Sequence, residues 1–437
     1  MTPEVPSVAS GPPTLELAEA TRVWWRLGWL SFGGPSAQIA LMHRELVDER
    51  GWLTEREFLD ALGFCMLLPG PEAMQLATYA GWKLHGTRGG LTAGLLFVLP
   101  GAAVVLTLTI LYATLGQLPL VQSAFRGIQA AVLVLVLQAV LRMSSRALTR
   151  RRQVAIAAAA FVGLFAFAVP FPLLVLAAGL FGACWPVTTS EGHAPAPHAS
   201  RPGTLRTVAI GLAAWVLPLS AMAWALGPHH IHSQLAWFFS RLAMVTFGGA
   251  YAVLAYMSQE VVARHGWLTP RQMLDGLGLA ETTPGPLILV TEFVGFLAAF
   301  RDAAPFPPVA AGILGAAMTT WVTFTPSMLW IFAGAPFVEQ LRANRRLSGA
   351  LAAITAAVVG VILNLTVWFA LHVLFGHVEE MRAGPLRWFA FDPLALDLKA
   401  AVLAVIAAVL AFRLHRSLIE VVAVMAVLGV VVRLVMG

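Results

Sequence analysis

The sequence predicts an all-α polytopic membrane protein with about thirteen transmembrane helices. We expect two inverted homologous repeats whose helices are broken at Pro-Gly-Pro. Three observations predict this fold class: an apolar composition, apolar segments long enough to cross a bilayer, and an internal repeat. Of the 437 residues, 59% are hydrophobic and only 11% are charged. A soluble domain carries about a quarter charged residues, so most of this surface must face lipid.

The apolar segments define the predicted spans. A helix needs about 20 apolar residues to cross the hydrocarbon core. The chain offers thirteen such segments: 23–43, 58–82, 90–115, 119–141, 154–169, 171–186, 206–226, 234–258, 273–300, 309–333, 348–375, 398–412 and 417–435. The fifth and sixth are short and are separated by Pro170, so they form either two tight spans or one shallow hairpin.

The distribution of basic residues predicts the orientation. If the N-terminus lies in the cytoplasm, most of the 28 Lys and Arg residues fall in cytoplasmic segments, as the positive-inside rule requires. We therefore predict a multi-pass protein of the bacterial inner membrane, with a cytoplasmic N-terminus and a periplasmic C-terminus. One loop disagrees: residues 44–57 carry Arg44, Arg50 and Arg56 and yet fall outside.

An internal repeat is the strongest feature of the sequence. The stretches Phe-Gly-Gly at 32–34, Gly-Trp-Leu-Thr at 51–54 and Pro-Gly-Pro at 69–71 each recur 215 residues later. After an insertion near 301–308 the offset becomes 226, and Gln138 then corresponds to Asn364. Seven predicted crossings separate equivalent segments, and an odd number turns the second copy upside down. Inverted repeats are typical of secondary transporters, which bind substrate near the midplane.

The repeat divides the chain into five parts. They are a polar tail at 1–21, a first repeat at 22–153, connecting helices with a cytoplasmic linker (186–205) at 154–233, a second repeat at 234–375, and a C-terminal helical pair at 376–437.

The Pro-Gly-Pro breaks predict an anion site. Proline interrupts a membrane helix, and the amide groups freed at the start of the next half-helix attract anions. The alternative is a packing kink. Glycine pairs serve either as helix contacts or as flexible breaks beside a substrate. The neutral residues predicted to line the site are Gly33, Gly34, Pro69, Gly70, Pro71, Gln75, Gly248, Gly249, Thr282, Thr283, Pro284, Gly285 and Pro286.

Ionisable residues within the spans complete the predicted site. Arg126, Arg241 and Arg26 are candidate anion contacts, because guanidinium forks suit tetrahedral oxyanions; the alternative for Arg26 and Arg241 is snorkelling to the interface. Glu72 and Glu281 flank the two breaks and are candidate coupling groups that exchange protons, or else structural carboxylates.

Several other chemistries find no support in the sequence. Cys65 and Cys184 suggest neither a disulfide framework nor a metal site, and His229, His230 and His232 are better read as a solvated loop than as zinc ligands. The scattered arginines indicate membrane anchoring rather than nucleic-acid binding. We predict no catalytic residues, no metal and no cofactor.

With these motifs in view, the chain resembles the chromate ion transporter family in its long two-domain form. The resemblance covers roughly 22–375. It rests on the stretches at 32–35, 51–54, 68–72 and 280–286, and on Thr319–Phe324 and Gly334–Pro336 in the second repeat. It implies export of chromate and chromate resistance, with sulfate as the similar competitor. The alternatives are a sulfate importer or chromate–sulfate exchanger, an intramembrane reductase and an uncoupled channel. A homodimer is left open.

Overall fold

The computed structural model describes residues 15–116, 118–185, 204–247, 250–338 and 344–436. The chain is mostly helical, and six helices in these ranges are long and apolar enough to cross a membrane. The prediction of a polytopic helical membrane protein is confirmed at this level. The polar tail up to residue 14, most of the linker and the pair Gly248 and Gly249 lie outside the described residues.

The helices of the first repeat and the connection are as follows. They are α1 (Leu17–Leu30), α2 (Gly34–His43), α3 (Glu55–Cys65), α4 (Glu72–Leu115), α5 (Pro119–Ala147), α6 (Arg151–Phe167), α7 (Phe171–Ala183) and α8 (Thr204–Leu226). A wide turn at Arg44–Glu49 extends α2.

The remaining elements include one small sheet. They are α9 (Ile231–Met244), α10 (Ala250–Gln259), α11 (Pro270–Thr282), α12 (Val290–Arg301), α13 (Pro308–Gly334), α14 (Arg345–Leu374), β1 (Val378–Ala383), β2 (Leu386–Phe391), α15 (Leu398–Ala408) and α16 (Leu418–Met436). Wide turns extend α10 through Glu260–Arg264 and α15 through Val409–Arg413.

Two helical hairpins open the first repeat. In the first hairpin, α1 and α2 run antiparallel around the turn at Phe32, because Arg50 lies 3.2 Å from Glu19 at their open ends. In the second, α3 and the start of α4 are antiparallel around Pro-Gly-Pro, since Lys83 pairs with Glu57 at 2.8 Å. Both segments therefore turn back at their glycine motifs instead of continuing in one direction.

The second repeat has the same two hairpins. Phe238 of α9 faces Tyr256 of α10 with ring centroids 6.5 Å apart, which places the turn near Phe247. Arg301 at the end of α12 donates a 2.5 Å hydrogen bond to Gln272 at the start of α11. This geometry matches the Glu57–Lys83 contact of the first repeat.

These hairpins correct the predicted spans. The segments 23–43, 58–82, 234–258 and 273–300 were each expected to cross the bilayer, but each contains two antiparallel half-helices. Hydropathy measures the length of an apolar segment and not its direction, so the sequence left the hairpin alternative undecided for 58–82 and 273–300. The open ends of the first-repeat hairpins define what we call the first face, and those of the second repeat define the second face.

Helix α4 is sharply bent. Its backbone leaves helical geometry at His85 and Gly86, where Gly86 has a φ of 61°. The two arms are antiparallel, because Gly81 before the bend and Gly89 after it lie side by side. A Cβ added to Gly81 would be only 2.4 Å from the carbonyl oxygen of Gly89. The first arm closes the second hairpin, and the second arm is the crossing predicted at 90–115.

The short segments 154–169 and 171–186 form two separate helices, α6 and α7. Both helices pack on α14 at glycines, where the backbones are too close for a side chain. A Cβ added to Gly360 of α14 would lie 2.1 Å from the carbonyl oxygen of Ala157 in α6. A Cβ added to Gly182 of α7 would lie 2.3 Å from the carbonyl oxygen of Gly349 in α14. Helix α6 ends beneath the small sheet, where the Arg387 side chain donates to the carbonyl of Phe165 at 3.2 Å.

The region 376–437 contains more than the predicted helical pair. An antiparallel β-hairpin, Val378–Ala383 with Leu386–Phe391, precedes α15 and α16. The all-α assignment is wrong for these residues. The strands are short and largely exposed and lie at the end of α14, so the long-window hydropathy pattern that located the spans carries no information about them.

The Gly-Trp-Leu-Thr repeat has a structural role at the start of α3 and α11. Thr54 and Thr269 are the N-caps, each in a capping box with Glu57 or Gln272 three residues later. Hydrogen bonds from Lys83, and then from Thr54, lower the pKa of Glu57 to about 2. The carboxylate is therefore ionised, and able to accept from Thr54, at neutral pH.

We expect Thr54→Ala to lower the free energy of unfolding by about 1 kcal/mol, because it removes the capping hydroxyl. A fluorescence thermal-shift measurement on purified protein in detergent would detect the change. Thr54→Ser, which keeps the hydroxyl, is the control and should unfold at the wild-type temperature. An unchanged transition for the alanine variant would contradict this role.

Candidate functional site

The tips of the four hairpins meet across the two repeats. The backbone N–H of Gly70, in the first Pro-Gly-Pro, donates to the carbonyl of Thr246 at 2.8 Å. The N–H of Gly285, in the second, donates to the carbonyl of Ser31 at the same distance. Residues 31 and 246 are themselves equivalent positions, 215 apart, so the two contacts are related by the repeat.

Glycine is required at these tips. Gly70 has a φ of 134° and Gly285 a φ of 90°, which L-residues with side chains rarely adopt. A Cβ on Gly70 would lie 2.5 Å from Oγ of Ser327, and one on Gly285 would lie 3.2 Å from Cα of Gly101. Ser327 and Gly101 are again equivalent positions, at the second offset of the repeat.

A cavity of about 720 Å³ extends from the hairpin tips towards the first face. The residues at its inner end include Phe32, Gly33, Gly34, Pro35, Ser36, Met66, Glu72 and Tyr251. Its outer wall is formed by the end of α5 and by the loop between α15 and α16, including Gln138, Arg142, Arg146, His415 and Arg416.

The charge of this cavity is predominantly basic. Arg142 and Arg146 line it, and among the described residues neither has a carboxylate within ion-pairing distance. Arg416 also lines it and lies 3.7 Å from Glu420, with both side chains more than half exposed. Glu72 is the acidic residue in the lining. An anion entering from the first face therefore meets guanidinium groups that it does not have to detach from carboxylates.

The start of α2 supplies amide groups to the same cavity. Gly33 and Gly34 have φ values of 87° and 79°, and Pro35 occupies the first turn of the helix. Residues 33–37 line the inner end. The first amides of a helix have no intrahelical acceptor and carry a partial positive charge, so this helix start adds to the attraction for an anion.

A tyrosine and a buried glutamate stand at the inner end. Tyr251, at the start of α10, donates a 2.9 Å hydrogen bond to Oε1 of Glu281. Glu281 is only 3% exposed, and its Oε2 has no hydrogen-bond partner. A Cβ on Gly34 would lie 3.6 Å from the Tyr251 hydroxyl. The tyrosine thus connects the cavity to the carboxylate behind it.

The space equivalent to the cavity, on the second face, is packed. At the offset of 226, Gln138, Arg142 and Met143 correspond to Asn364, Trp368 and Phe369. The latter three are 2%, 9% and 0% exposed. Trp368 also contacts the ring of His372 at 4.3 Å. The molecule is therefore open between the tips and the first face and closed between the tips and the second.

A buried polar cluster also lies on the closed side. Asp275 of α11 is 3% exposed. It accepts a 2.7 Å hydrogen bond from the hydroxyl of Tyr112 in α4 and another of 2.7 Å from the amide of Gln129 in α5. These contacts join a hairpin of the second repeat to two crossing helices of the first.

Among the predicted site residues, Gly33, Gly34 and Glu72 line the cavity, and Glu281 contacts a lining residue. The two Pro-Gly-Pro tips lie behind it, and two of their amides are already bonded to carbonyl groups. Gln75 is buried and donates to the carbonyl of Pro69 at 2.8 Å. The hydroxyls of Thr282 and Thr283 bond to carbonyls of their own helix.

The three predicted arginines lie elsewhere. Arg26 pairs with Glu45, at the end of the first hairpin's second segment. Arg241 lies 5.5 Å from the ring of Trp237, and Arg126 is exposed on α5. None of them lines the cavity, so their assignment as substrate contacts stays a prediction.

Arg142, Arg146 and Tyr251 were not predicted as site residues. The two arginines belong to the basic residues that the sequence assigns to membrane anchoring, and their position one and two turns after Gln138, on the same α5, was the available signal. Tyr251 is one of only four tyrosines and follows the second Phe-Gly-Gly by two residues, a position that could have drawn attention to it.

Comparison with known proteins gives a consistent result. The family model described as "Chromate transporter" matches residues 18–183 and 233–431. The chain is 32% identical over 357 residues to a chromate transport protein of Pseudomonas aeruginosa, covering 80% of each chain. It is 29% identical to that of Cupriavidus metallidurans, covering 82% of this chain and 84% of the relative. No solved structure matches. The family match continues to residue 431, beyond the 22–375 of the expected resemblance.

Proposed function

Because this chain belongs to the chromate transporter family, we propose that it exports chromate from the cytoplasm by alternating access and so gives chromate resistance. The observation that carries the proposal is the asymmetry between equivalent regions: a basic cavity on the first face and packed aromatic side chains on the second. Exchanging the open and closed sides of a pseudo-symmetric molecule is how transporters with inverted repeats move a substrate.

The hairpins support an inverted arrangement of the two repeats. A hairpin that returns to its own face adds no net crossing, so the passes between the first pair of hairpins and the second are α4 (second arm), α5, α6, α7 and α8. Five is an odd number, and the second repeat therefore begins on the opposite face. This arrangement replaces thirteen crossings with nine crossings and four re-entrant hairpins.

The same arrangement supports a cytoplasmic first face. Residues 44–57, whose arginines disagree with the orientation predicted from the sequence, lie on the first face, which is also where α1 begins. That face also carries Arg142, Arg146 and Arg150–Arg152, as the positive-inside rule requires. The cavity then opens to the cytoplasm, where chromate is to be captured, and the C-terminus is periplasmic.

The chemistry of the cavity suits a tetrahedral dianion. Guanidinium groups and the start of α2 offer donors and positive charge, while Tyr251 and Glu281 lie next to the inner end. Moving one charge through 100 mV is worth about 2.3 kcal/mol, so an inside-negative potential favours the exit of a dianion by about twice that. Export thus has a driving force of its own, and a proton step at Glu72 or Glu281 would add to it.

Direct flux measurement in membrane vesicles tests the proposal. In inside-out vesicles, the protein should give saturable uptake of radiolabelled chromate that increases with an inside-positive potential and decreases with excess sulfate. Vesicles without the protein are the control. Uptake confined to right-side-out vesicles would contradict export. Chromate uptake that requires sulfate on the opposite side would establish the exchanger on this site instead.

Alternating access also makes a prediction about the closed side. In the transport cycle the Asp275 cluster must separate. Asp275→Asn leaves one acceptor oxygen for two donors. We therefore expect the state that is closed on the second face to be destabilised by about 1 kcal/mol relative to the outward-open state. This change would raise the outward-open population roughly fivefold. The readout is the labelling rate of Asn364→Cys by a membrane-impermeant thiol reagent from the second face, with Cys184 replaced by Ser.

The matched control is Asp60→Asn, the equivalent position in the first repeat. It should not increase labelling of Asn364→Cys, because residue 60 is in a hairpin of the other face. Equal labelling rates with and without Asp275→Asn would show that the cluster does not hold the second face closed.

A further inference from the structure

A second cavity, separate from the basic one, lies between α6 and α7. It has a volume of about 480 Å³ and is lined almost entirely by apolar side chains. The lining residues that matter here are Ala155, Ala159, Ala177 and Phe181 on the two helices, with Ala357 of α14 at the floor. Ala155, Ala159, Ala177 and Phe181 are exposed in the bundle, so the groove faces the bilayer.

The groove exists because α6 and α7 pack mainly on α14 and make few contacts with each other. Gly360 brings α14 against Ala157, and Gly182 brings α7 against Gly349. Many of the lining residues on α6 and α7 are alanines, which are too small to fill the space between the two helices. A lipid-facing gap between helices must be filled by apolar material, because water in it would have few polar partners.

The end of the groove nearest the first face is basic. Arg152 lines it, and its guanidinium carbon lies 4.8 Å from the centroid of the Trp185 ring. Arg150 and Arg151 precede it at the start of α6, where the helix amides add positive charge. Among the described residues none of the three arginines forms an ion pair. Stacking on an aromatic ring holds a guanidinium while leaving its edge free to donate hydrogen bonds.

We propose that this groove binds one anionic phospholipid, with an acyl chain between α6 and α7 and the phosphate at Arg150–Arg152. Arg150–Arg152 at one end complement the charge of a phosphate, and the apolar groove beyond them complements an acyl chain. Basic pockets between membrane helices are recognition sites for anionic headgroups. A free phosphate would use the arginines but would leave the apolar groove without an occupant.

Lipid retention by the purified full-length chain tests this site. The protein is extracted in mild detergent, mixed with equal amounts of phosphatidylglycerol and phosphatidylcholine of the same chain length, and examined by native mass spectrometry. The wild type should retain phosphatidylglycerol about tenfold more than phosphatidylcholine. Excess inorganic phosphate should not displace it, because the acyl chain contributes to binding. Displacement by phosphate would assign the arginines to a soluble anion and overturn the proposal.

Two variants separate the two ends of the site. Ala159→Phe fills the groove and should remove most retention of both lipids, whereas Ala158→Phe, on the same helix but outside the lining, should retain lipid like the wild type. Arg152→Gln should abolish the preference for phosphatidylglycerol while chain binding persists. Equal retention of the two lipids by the wild type, or full retention by Ala159→Phe, would overturn the proposal. Retention is measured without transport, so it does not depend on which ion is exported.

Discussion

Replacing Arg142 with glutamine is expected to lower the chromate transport rate at subsaturating chromate by ten- to a hundredfold. The guanidinium lines the cavity near Gln138, and no carboxylate among the described residues is bonded to it. A hydrogen bond to a charged group contributes about 1.5–3 kcal/mol, and each 1.4 kcal/mol is about a factor of ten. The loss should appear mainly as a higher KM, because a capture contact is removed.

The measurement is the initial rate of chromate uptake into inside-out vesicles over a range of concentrations, with the amount of protein in the membrane determined by immunoblot. Arg142→Lys keeps the charge and should retain part of the activity. Arg126→Gln is the matched control, because Arg126 is on the same helix, was the arginine of α5 predicted as an anion contact from the sequence, and does not line the cavity. It should transport within about twofold of the wild type. A large loss for Arg126→Gln with normal transport by Arg142→Gln would return the site to the arginine that the sequence favoured.

Gly70→Ala is expected to abolish transport and to destabilise the protein by about 2–6 kcal/mol. The backbone conformation at φ 134° contributes about 1–3 kcal/mol of strain for a residue with a Cβ. The contact of that Cβ with Ser327 and Gln75, at 2.5 and 2.6 Å, adds about 1–3 kcal/mol of overpacking. The strain falls on the tip that bonds to Thr246, so the junction between the repeats should be disturbed as well.

Thermal unfolding in detergent and vesicle transport are the two readouts. Gly51→Ala is the matched control. The φ of 60° at Gly51 is also unfavourable for alanine, but no atom lies within 4 Å of the added Cβ. This variant should therefore lose about 1 kcal/mol of unfolding free energy and keep its transport activity. The double variant Gly70→Ala with Ser327→Gly should recover part of the stability, because it removes the serine side chain that the added Cβ contacts. A Gly70→Ala protein as stable and active as Gly51→Ala would refute the tight junction.

The internal repeat allowed much of the fold to be predicted. It singled out the Phe-Gly-Gly and Pro-Gly-Pro stretches, which are the places where the chain turns in the structure, and it predicted that these motifs are close to the site. At Phe32 and Phe247, however, the sequence predicted continuous spans and not turns. The direction of the chain after each turn was not predictable, because an apolar segment has the same hydropathy whether it continues or returns. The antiparallel course depends on long-range pairs such as Glu57 with Lys83, which a single sequence does not identify.

The charged part of the site was predicted less well. Arg26 lies within the apolar segment 23–43 and so was predicted to contact the anion, yet in the structure it belongs to a hairpin and has Glu45 as its ion-pair partner. Arg142 belongs to a basic loop and so was interpreted as an anchor, yet it lines the cavity. In both cases the position of the arginine relative to the membrane depends on the hairpins, and the error in the span assignment was carried into the site.

The paired bonds from Gly70 to Thr246 and from Gly285 to Ser31 have a consequence for how such a molecule could change shape. Each repeat donates a backbone hydrogen bond to a turn of the other repeat. The chain therefore cannot be divided at its midpoint into two rigid halves that rotate past one another. The units that move have to be composed of pieces from both ends of the polypeptide, and the joints between them belong within each repeat, at bends such as His85–Gly86.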